Sequence, residues 1–133
     1  MTLTATINQG ESIMNAALLG ISYDCTDAAQ VADFWAQVLD RPVDDGASKE
    51  FASIGLAAAG SGTAVWMFHQ VPESKVAKNR VHVDLVSDSL EKAVAHALDC
   101  GATRVGDFDE NGYQWTTLAD PEGNEFDIVA APQ

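Results

Sequence analysis

An internal repeat with a period of about sixty residues is the feature that most constrains the fold of this chain, because such repeats mark duplicated modules. In the first copy, the apolar and β-leaning residues 17–25 predict a strand. Asp27 and Gln30 follow as a pair typical of a helix N-terminus. Apolar residues then recur at the spacing of one helix face: Val31, Phe34, Trp35, Val38 and Leu39. Pro42 is expected to end this helix.

The second copy repeats this order. Residues 80–86 alternate between apolar and polar types and therefore predict a strand. Asp88 and Glu91 form a second helix-start pair. One apolar helix face follows: Leu90, Val94, Ala97 and Leu98. Gly101 is placed to end this helix, because glycine readily adopts the left-handed conformation found just beyond a last turn.

Strand-like segments separated by turn residues follow each predicted helix. They are residues 51–57 and 63–71 in the first copy, with a weaker candidate at 43–47, and residues 104–108, 113–118 and 125–130 in the second. Asn111 and Gly112 predict a hairpin turn. Each copy is thus predicted to be a βαβββ module. The predicted fold class is α+β, with the two modules forming a curved mixed sheet, helices outside and a central cleft.

The length of 133 residues fits a single domain. We predict a flexible N-terminal arm at residues 1–15 and one domain at residues 16–131. Within that domain, module one covers residues 16–71, a polar linker covers residues 72–79, and module two covers residues 80–131.

The charge balance argues against two classes of partner. Seven Lys and Arg face twenty Asp and Glu, which gives a formal net charge of -13. A surface this acidic repels phosphate backbones and anionic lipids. We therefore expect neither nucleic acid nor a membrane as a partner. The sequence also has no apolar run long enough to span a bilayer and no basic start typical of a signal peptide. Cys25 and Cys100 are too few for a disulfide framework, and we expect a cytoplasmic protein.

Three segments carry a resemblance to a known family. They are residues 27–39 with Phe34-Trp35 inside, residues 78–85 (KNRVHVDL) and residues 120–127 (DPEGNEFD). In this order they resemble glyoxalase-like and bleomycin-resistance-like proteins of the vicinal oxygen chelate superfamily, over about residues 16–129. The resemblance implies the fold predicted above. It also implies a homodimer, since sheet edges in this superfamily are often paired between chains.

The resemblance further implies where a divalent metal (Zn, Ni, Mn or Fe) would bind. Enzymes of this superfamily use one residue from the first strand and one from the last strand of each module. His82 and Asp127 match these positions in module two. In module one the opening position falls at Gly20, which has no side chain to offer, and the closing position falls near His69. We therefore expect His82, Asp127 and His69 as ligands of such a metal.

Other side chains are candidates for proton transfer and for ligand contacts. Either Glu125 or Asp24 would act as the base next to a metal. The expected ligand contacts are Trp66, Phe68, Trp115, Ser22 and Arg80. The aromatic residues could instead pack under the helices. His82 could equally form a plain histidine–carboxylate pair.

Three functions follow from these residues. Because Gly20 leaves the metal ligands incomplete, the sequence favours a protein that binds a small metabolite or drug in its cleft, as some superfamily members do. The alternative is a metal-dependent lyase, isomerase or dioxygenase-type enzyme acting on a substrate with vicinal oxygens. The third is an interaction module with no small ligand. The sequence is compatible with both an enzyme and a protein that only binds its ligand.

Overall fold

A computed structural model describes residues 15–132 of the chain. Its elements, in chain order, are β1 (Gly20–Cys25), α1 (Ala28–Leu39), β2 (Phe51–Ile54), a short 3-10 helix (Leu56–Ala58), β3 (Val65–Gln70), β4 (Asp84–Ser87), α2 (Leu90–Cys100), β5 (Thr103–Glu110), β6 (Tyr113–Ala119) and β7 (Glu125–Ala130). The chain divides into two units at the boundary between Ser74 and Lys75. The arm predicted for residues 1–15 lies outside the described residues except for Asn15.

Three strands of each sheet have the same order, which confirms the duplication indicated by the sequence. The first unit has the order β1-β3-β2 and the second has the order β4-β7-β6-β5. In each unit the first strand runs parallel to the last, and the last is antiparallel to the strand before it. A helix joins the first strand to the rest in both units, as parallel neighbours require. The α+β fold class is therefore confirmed.

The first unit lacks a counterpart of β5. Residues 43–47, the weaker strand candidate, form no strand. Its backbone makes isolated hydrogen bonds, such as that from Asp44 N to Ser53 O at 2.9 Å, and no strand ladder. The reason is local, since the turn-forming Asp44-Asp45-Gly46 places Gly46 at φ +90° and interrupts the extended backbone that a ladder needs.

The helix starts agree with the sequence to within one residue. Asp27 caps α1, because its side chain accepts a hydrogen bond from Gln30 N at 3.1 Å. The cap of α2 is Ser89 rather than the predicted Asp88, and its hydroxyl accepts from Lys92 N. Ser87 favours this outcome, since its hydroxyl bonds both the N–H and the C=O of Ser89.

The helix ends differ from each other. Gly101 ends α2 as predicted, with φ 118°. Pro42 does not end α1. That helix stops at Leu39, where Asp40 turns left-handed at φ 53° and its N–H reaches the carbonyls of Ala36 and Gln37.

The strand predicted at residues 80–86 is shorter in the structure and begins only at Asp84. Asn79 explains the difference. Its side-chain oxygen accepts from Glu125 N at 3.0 Å, and its side-chain nitrogen donates to Glu125 O and Val81 O. The side-chain amide of Asn79 therefore forms the hydrogen bonds to the first residue of β7 that the backbone of a longer β4 would otherwise form.

Aromatic rings fill the core of the first unit. Tyr23 on β1 stacks against Trp35 of α1 at 5.8 Å between ring centroids, and against Trp66 and Phe68 of β3 at 6.0 and 5.7 Å. Trp35 also lies 4.9 Å from Trp66. The core of the second unit consists of aliphatic side chains and the ring of Phe126. Its buried residues are Val94, Ala97, Leu118, Phe126 and Ile128.

The described residues include no helix of the length and apolar character needed to cross a membrane. Cys25 and Cys100 form no disulfide, and the Cys25 thiol lies 3.4 Å from His69 O. A cytoplasmic location stays a prediction.

A carboxylate network closes the loop after α1. Asp44 accepts hydrogen bonds from Ser53 Oγ at 2.7 Å, Leu56 N at 2.9 Å and Gly55 N at 3.2 Å. Burial alone would raise the pKa of Asp44. The hydrogen bonds, led by that from Leu56 and aided by the nearby charge of Arg41, outweigh burial and hold this pKa below its ordinary value.

Asp44→Asn is expected to lower the free energy of unfolding by about 1–2 kcal/mol at neutral pH, because an amide cannot accept all three bonds. A depressed folded-state pKa gives stability that is complete above the unfolded-state pKa and is lost as the pH falls through the folded value. The difference from wild type should therefore shrink below about pH 4. Urea unfolding at several pH values measures it. The exposed neighbour Asp45→Asn is the control, and an equal loss there would contradict the role of the network.

Candidate functional site

The second unit has one sheet face that its helix does not cover. On β6 and β7, Thr116, Leu118, Phe126 and Ile128 are buried and alternate with residues that point the other way. We call this other side the open face. The cross-strand register places the following residues on it: Phe108, Trp115, Thr117, Asp84, Glu125 and Asp127.

His82, Asp84 and Asp127 form a polar cluster on the open face. His82 Nδ1 lies 3.2 Å from Asp84 Oδ1 and 3.7 Å from Asp127 Oδ2. One potential ligand atom from each residue lies within 4.8 Å of the others. The side chains of His82 and Asp84 are 48% and 59% exposed, whereas that of Asp127 is only 15% exposed. The cluster is thus open to solvent on one side and anchored on the other.

This donor set fits a divalent metal. Donors that sit about 2.0–2.2 Å from one metal at octahedral or tetrahedral angles are about 2.8–3.6 Å from each other. The 3.2 Å from His82 to Asp84 lies within that range, and the 3.7 Å from His82 to Asp127 lies just above it. One imidazole nitrogen with two carboxylates suits Zn²⁺, Mn²⁺ or Fe²⁺. The distance between His82 and Asp84 also suits a direct histidine–carboxylate hydrogen bond.

Thr117 fixes the orientation of Asp127. Its hydroxyl donates to Asp127 Oδ1 at 2.6 Å, which leaves Oδ2 facing His82. Neither Thr117 nor Asp84 was predicted as a site residue. A signal for Asp84 was present, because His82 and Asp84 are two residues apart in an alternating segment.

Glu125, the first candidate base, is already engaged. Its carboxylate forms an ion pair with Lys78, and Asn79 binds its backbone. Arg80, expected to contact a ligand, is exposed and has no carboxylate partner within residues 15–132.

An aromatic pair lies beside the polar cluster. The rings of Phe108 and Trp115 stack with their centroids 5.2 Å apart and their planes 14° apart. Trp115 is opposite Val129 in the β6–β7 register, so it is a diagonal neighbour of Asp127 on the same face, with side chains about 7–8 Å apart. A contact between Trp115 and a ligand stays a prediction.

The first unit does not reproduce the polar cluster. Met67 corresponds to Asp127, because each is the third residue of the last strand in its unit. Ser22 corresponds to Asp84, because Ser22 pairs with Met67 as Asp84 pairs with Asp127. His69 lies two residues further, opposite Asp24 and 5.1 Å from the ring of Phe51. His69 is therefore not at the closing position to which the resemblance assigned it.

A close strand contact explains the glycine at the opening position. A Cβ atom on Gly20 would lie 2.1 Å from the carbonyl oxygen of Val65 in the neighbouring strand. Ser22 and Asp24, also on β1, are exposed on the face opposite α1, since the intervening Tyr23 packs on that helix. The ligand contact predicted for Ser22 and the role of base predicted for Asp24 stay predictions.

Trp66 and Phe68 require a correction. Both were expected to contact a ligand, but they are 4% and 0% exposed and pack with Tyr23 and Trp35 beneath α1. Strand alternation places them on the helix-covered side of the sheet. In the first unit they are core residues with no surface to offer a ligand.

A groove of about 480 Å³ lies between α2 and the outer strands β5 and β6. Leu90 and Val94 line its helix side and Arg104 its strand side. The charge of Arg104 is compensated by Asp107, which lies 2.7 Å away and also accepts from Thr116 Oγ1. None of the three residues of the polar cluster lines this groove, whereas Phe108 and Trp115 do.

Comparison with known proteins agrees with this architecture. The sequence profile described as "Glyoxalase-like domain" matches residues 20–129. A glyoxalase/bleomycin resistance protein/dioxygenase family enzyme from Burkholderia phytofirmans PsJN has a TM-score of 0.71 at 19% identity, covering 88% of this chain and 100% of that chain. No curated protein matches the chain in sequence.

Two further solved structures share the fold. A variant of the fosfomycin resistance protein FosX from Listeria monocytogenes, complexed with Mn(II) and 1S,2S-dihydroxypropylphosphonic acid, has a TM-score of 0.71 at 11% identity, covering 90% of this chain and 93% of that chain. TioX from Micromonospora sp. ML1 has a TM-score of 0.58 at 13% identity, covering 86% and 98%. At these identities the likeness concerns the fold alone.

Proposed function

The chain belongs to the glyoxalase-like domain family of the vicinal oxygen chelate superfamily, and from this we propose that it binds a small organic molecule on the open face of its second unit. The observation that carries the proposal is the stacked pair Phe108 and Trp115 next to the polar cluster on one sheet face. A flat apolar body would stack on the rings, while its oxygen or nitrogen substituents would reach the polar cluster.

A second candidate function is a metal-dependent enzyme of the lyase, isomerase or dioxygenase type. The geometry of His82, Asp84 and Asp127 favours it, and so does the Mn(II) in the FosX complex. A divalent metal here would act as a Lewis acid toward adjacent oxygens of a substrate. His82 and Asp127 would hold it, and Thr117 would keep Asp127 oriented. Glu125 would have to release Lys78 before it could accept a proton.

Catechol and resorcinol distinguish the two candidates. Both isomers present the same ring for stacking, but only catechol has adjacent oxygens able to chelate a metal. Isothermal titration under anaerobic conditions, with and without Mn²⁺, measures both. Simple ligand binding predicts similar affinities that Mn²⁺ does not change. The metal-dependent function predicts that Mn²⁺ strengthens catechol binding and leaves resorcinol unaffected. Absence of saturable binding by either isomer would remove the open face as a binding surface for such rings.

Trp115→Ala is expected to weaken binding of these ring probes about 3- to 10-fold, because one stacking partner is lost. Trp115→Phe should retain most of the affinity. Titration calorimetry with each variant measures the change. Arg104→Ala, in the separate groove, is the control and should leave the affinity unchanged. A larger loss for Arg104→Ala than for Trp115→Ala would move the ligand from the open face to the groove.

A homodimer remains part of the proposal. Large apolar side chains of the second unit are exposed in the single chain, among them Val76, Val81, Val86 and Tyr113. Large exposed apolar side chains are candidates for an association surface. Sedimentation equilibrium of the full chain would test it, and a monomer at all concentrations would exclude a stable dimer.

A further inference from the structure

We infer that the second unit by itself forms a three-donor site for one divalent cation, with Asp84 as the third ligand in the place assigned to His69. The inference rests on the second candidate function. It names the ligand set and confines that set to residues 82–127.

The backbone explains why three donors converge there. Asp84 and Asp127 are direct partners in the parallel pair of β4 and β7, so their side chains emerge side by side on the open face. His82 lies just before β4, where the side chain of Asn79 accepts a hydrogen bond from Glu125 N at the start of β7. His82 nevertheless lies within 3.7 Å of both carboxylates. The distance from His82 to Asp84 is the shorter of the two.

The charge of the cluster calls for a cation. Two carboxylates and a neutral imidazole have a formal charge that one divalent ion neutralises. Among residues 15–132, no Lys or Arg forms an ion pair with Asp84 or Asp127, whereas Lys78 pairs with Glu125 and Arg104 pairs with Asp107. Asp127 is held by Thr117 on one oxygen and offers the other to the cluster. Such a hydrogen-bonded carboxylate is typical of a metal ligand.

The first unit offers no equivalent trio. Its positions corresponding to His82, Asp84 and Asp127 hold Gly20, Ser22 and Met67. His82, Asp84 and Asp127 are the one group of this kind found within the described residues. Three protein donors with an open side leave coordination positions for the oxygens of a ligand, as in catalytic metal sites.

Metal titration of the chelator-treated full chain tests the inference. Mn²⁺ and Zn²⁺ are titrated calorimetrically, and the absorption spectrum of the Co²⁺-loaded protein reports the ligand set independently of any activity. Wild type is expected to bind one ion per chain. Removing a hydrogen-bond partner of a metal ligand lowers metal affinity roughly 10- to 100-fold. Asp84→Asn removes a ligand itself, so its metal affinity should fall by more than that, and its Co²⁺ spectrum should change.

Two controls separate the alternatives. Asp88→Asn removes the same charge from an exposed position four residues away and should bind like wild type. His69→Ala should also bind like wild type. Unchanged affinity in Asp84→Asn would overturn the inference and leave metal binding in place. A large loss in His69→Ala would place the third ligand in the first unit and overturn it as well. Absence of binding by wild type would overturn both the inference and the second candidate function.

Discussion

Gly20→Ala is expected to lower the free energy of unfolding by about 3 kcal/mol or more, at the upper end of the range for overpacked sites. The new methyl group would lie 2.1 Å from the carbonyl oxygen of Val65 and 2.9 Å from its Cβ. Both are parts of a neighbouring strand, so no flexible side chain can move aside. The β1–β3 pairing on which the aromatic core rests would have to open.

Urea unfolding followed by far-ultraviolet circular dichroism measures this loss. Gly106→Ala provides a matched control, because its Cβ would approach the ring of Phe108 at 3.2 Å, and that half-exposed ring can rotate away. We expect a change of less than about 1 kcal/mol there. If Gly20→Ala does not fold, expression gives the same ranking of stability: Gly20→Ala is then recovered in inclusion bodies, whereas Gly106→Ala is soluble. Equal stability of the two variants would refute the close contact.

The same contact limits the first unit chemically. Gly20→His would copy into β1 the residue type found at the opening position of the second module. Its Cβ would meet the same carbonyl oxygen before the imidazole could reach any metal. A first-module ligand at this position is therefore sterically excluded, whatever its side chain.

His82→Ala is expected to abolish metal uptake, because it removes the one nitrogen donor of the polar cluster. The expected loss of affinity exceeds about 100-fold. Elemental analysis after dialysis against Mn²⁺ or Zn²⁺ measures it. Since the His82 side chain is about half exposed, the unfolding free energy should change by less than about 0.5 kcal/mol.

His96→Ala is the matched control for this substitution. His96 is an exposed histidine on α2, away from the open face, and its substitution should leave metal content unchanged. Metal content in His82→Ala equal to that of wild type would count decisively against the metal-dependent function. It would leave the proposal of simple ligand binding intact.

The repeat made the topology predictable from the sequence. Each copy carries its own local signals, and Asp27 with Gln30 marks the start of α1 correctly. The missed details depend on contacts distant in sequence or on competition between neighbours. Asn79 delays β4 by binding Glu125, forty-six residues away. Ser89 replaces Asp88 as the cap because Ser87 holds it in place.

The candidate site was predictable only in part. His82 and Asp127 come together because the first and last strands of a unit are parallel neighbours, which the repeat implies. Trp66 and Phe68 were misplaced because alternation separates the two faces of a strand without showing which face a helix covers. Only the packing of Trp35 on Trp66 decides that question.

The distribution of tryptophans gives each unit its own optical reporter. Trp35 and Trp66 are buried in the first unit, whereas Trp115 lies in the second beside Phe108. In a Trp115→Phe protein, tryptophan fluorescence would come from the first unit alone. Comparison with the unaltered protein would then show whether the two halves melt together or one after the other.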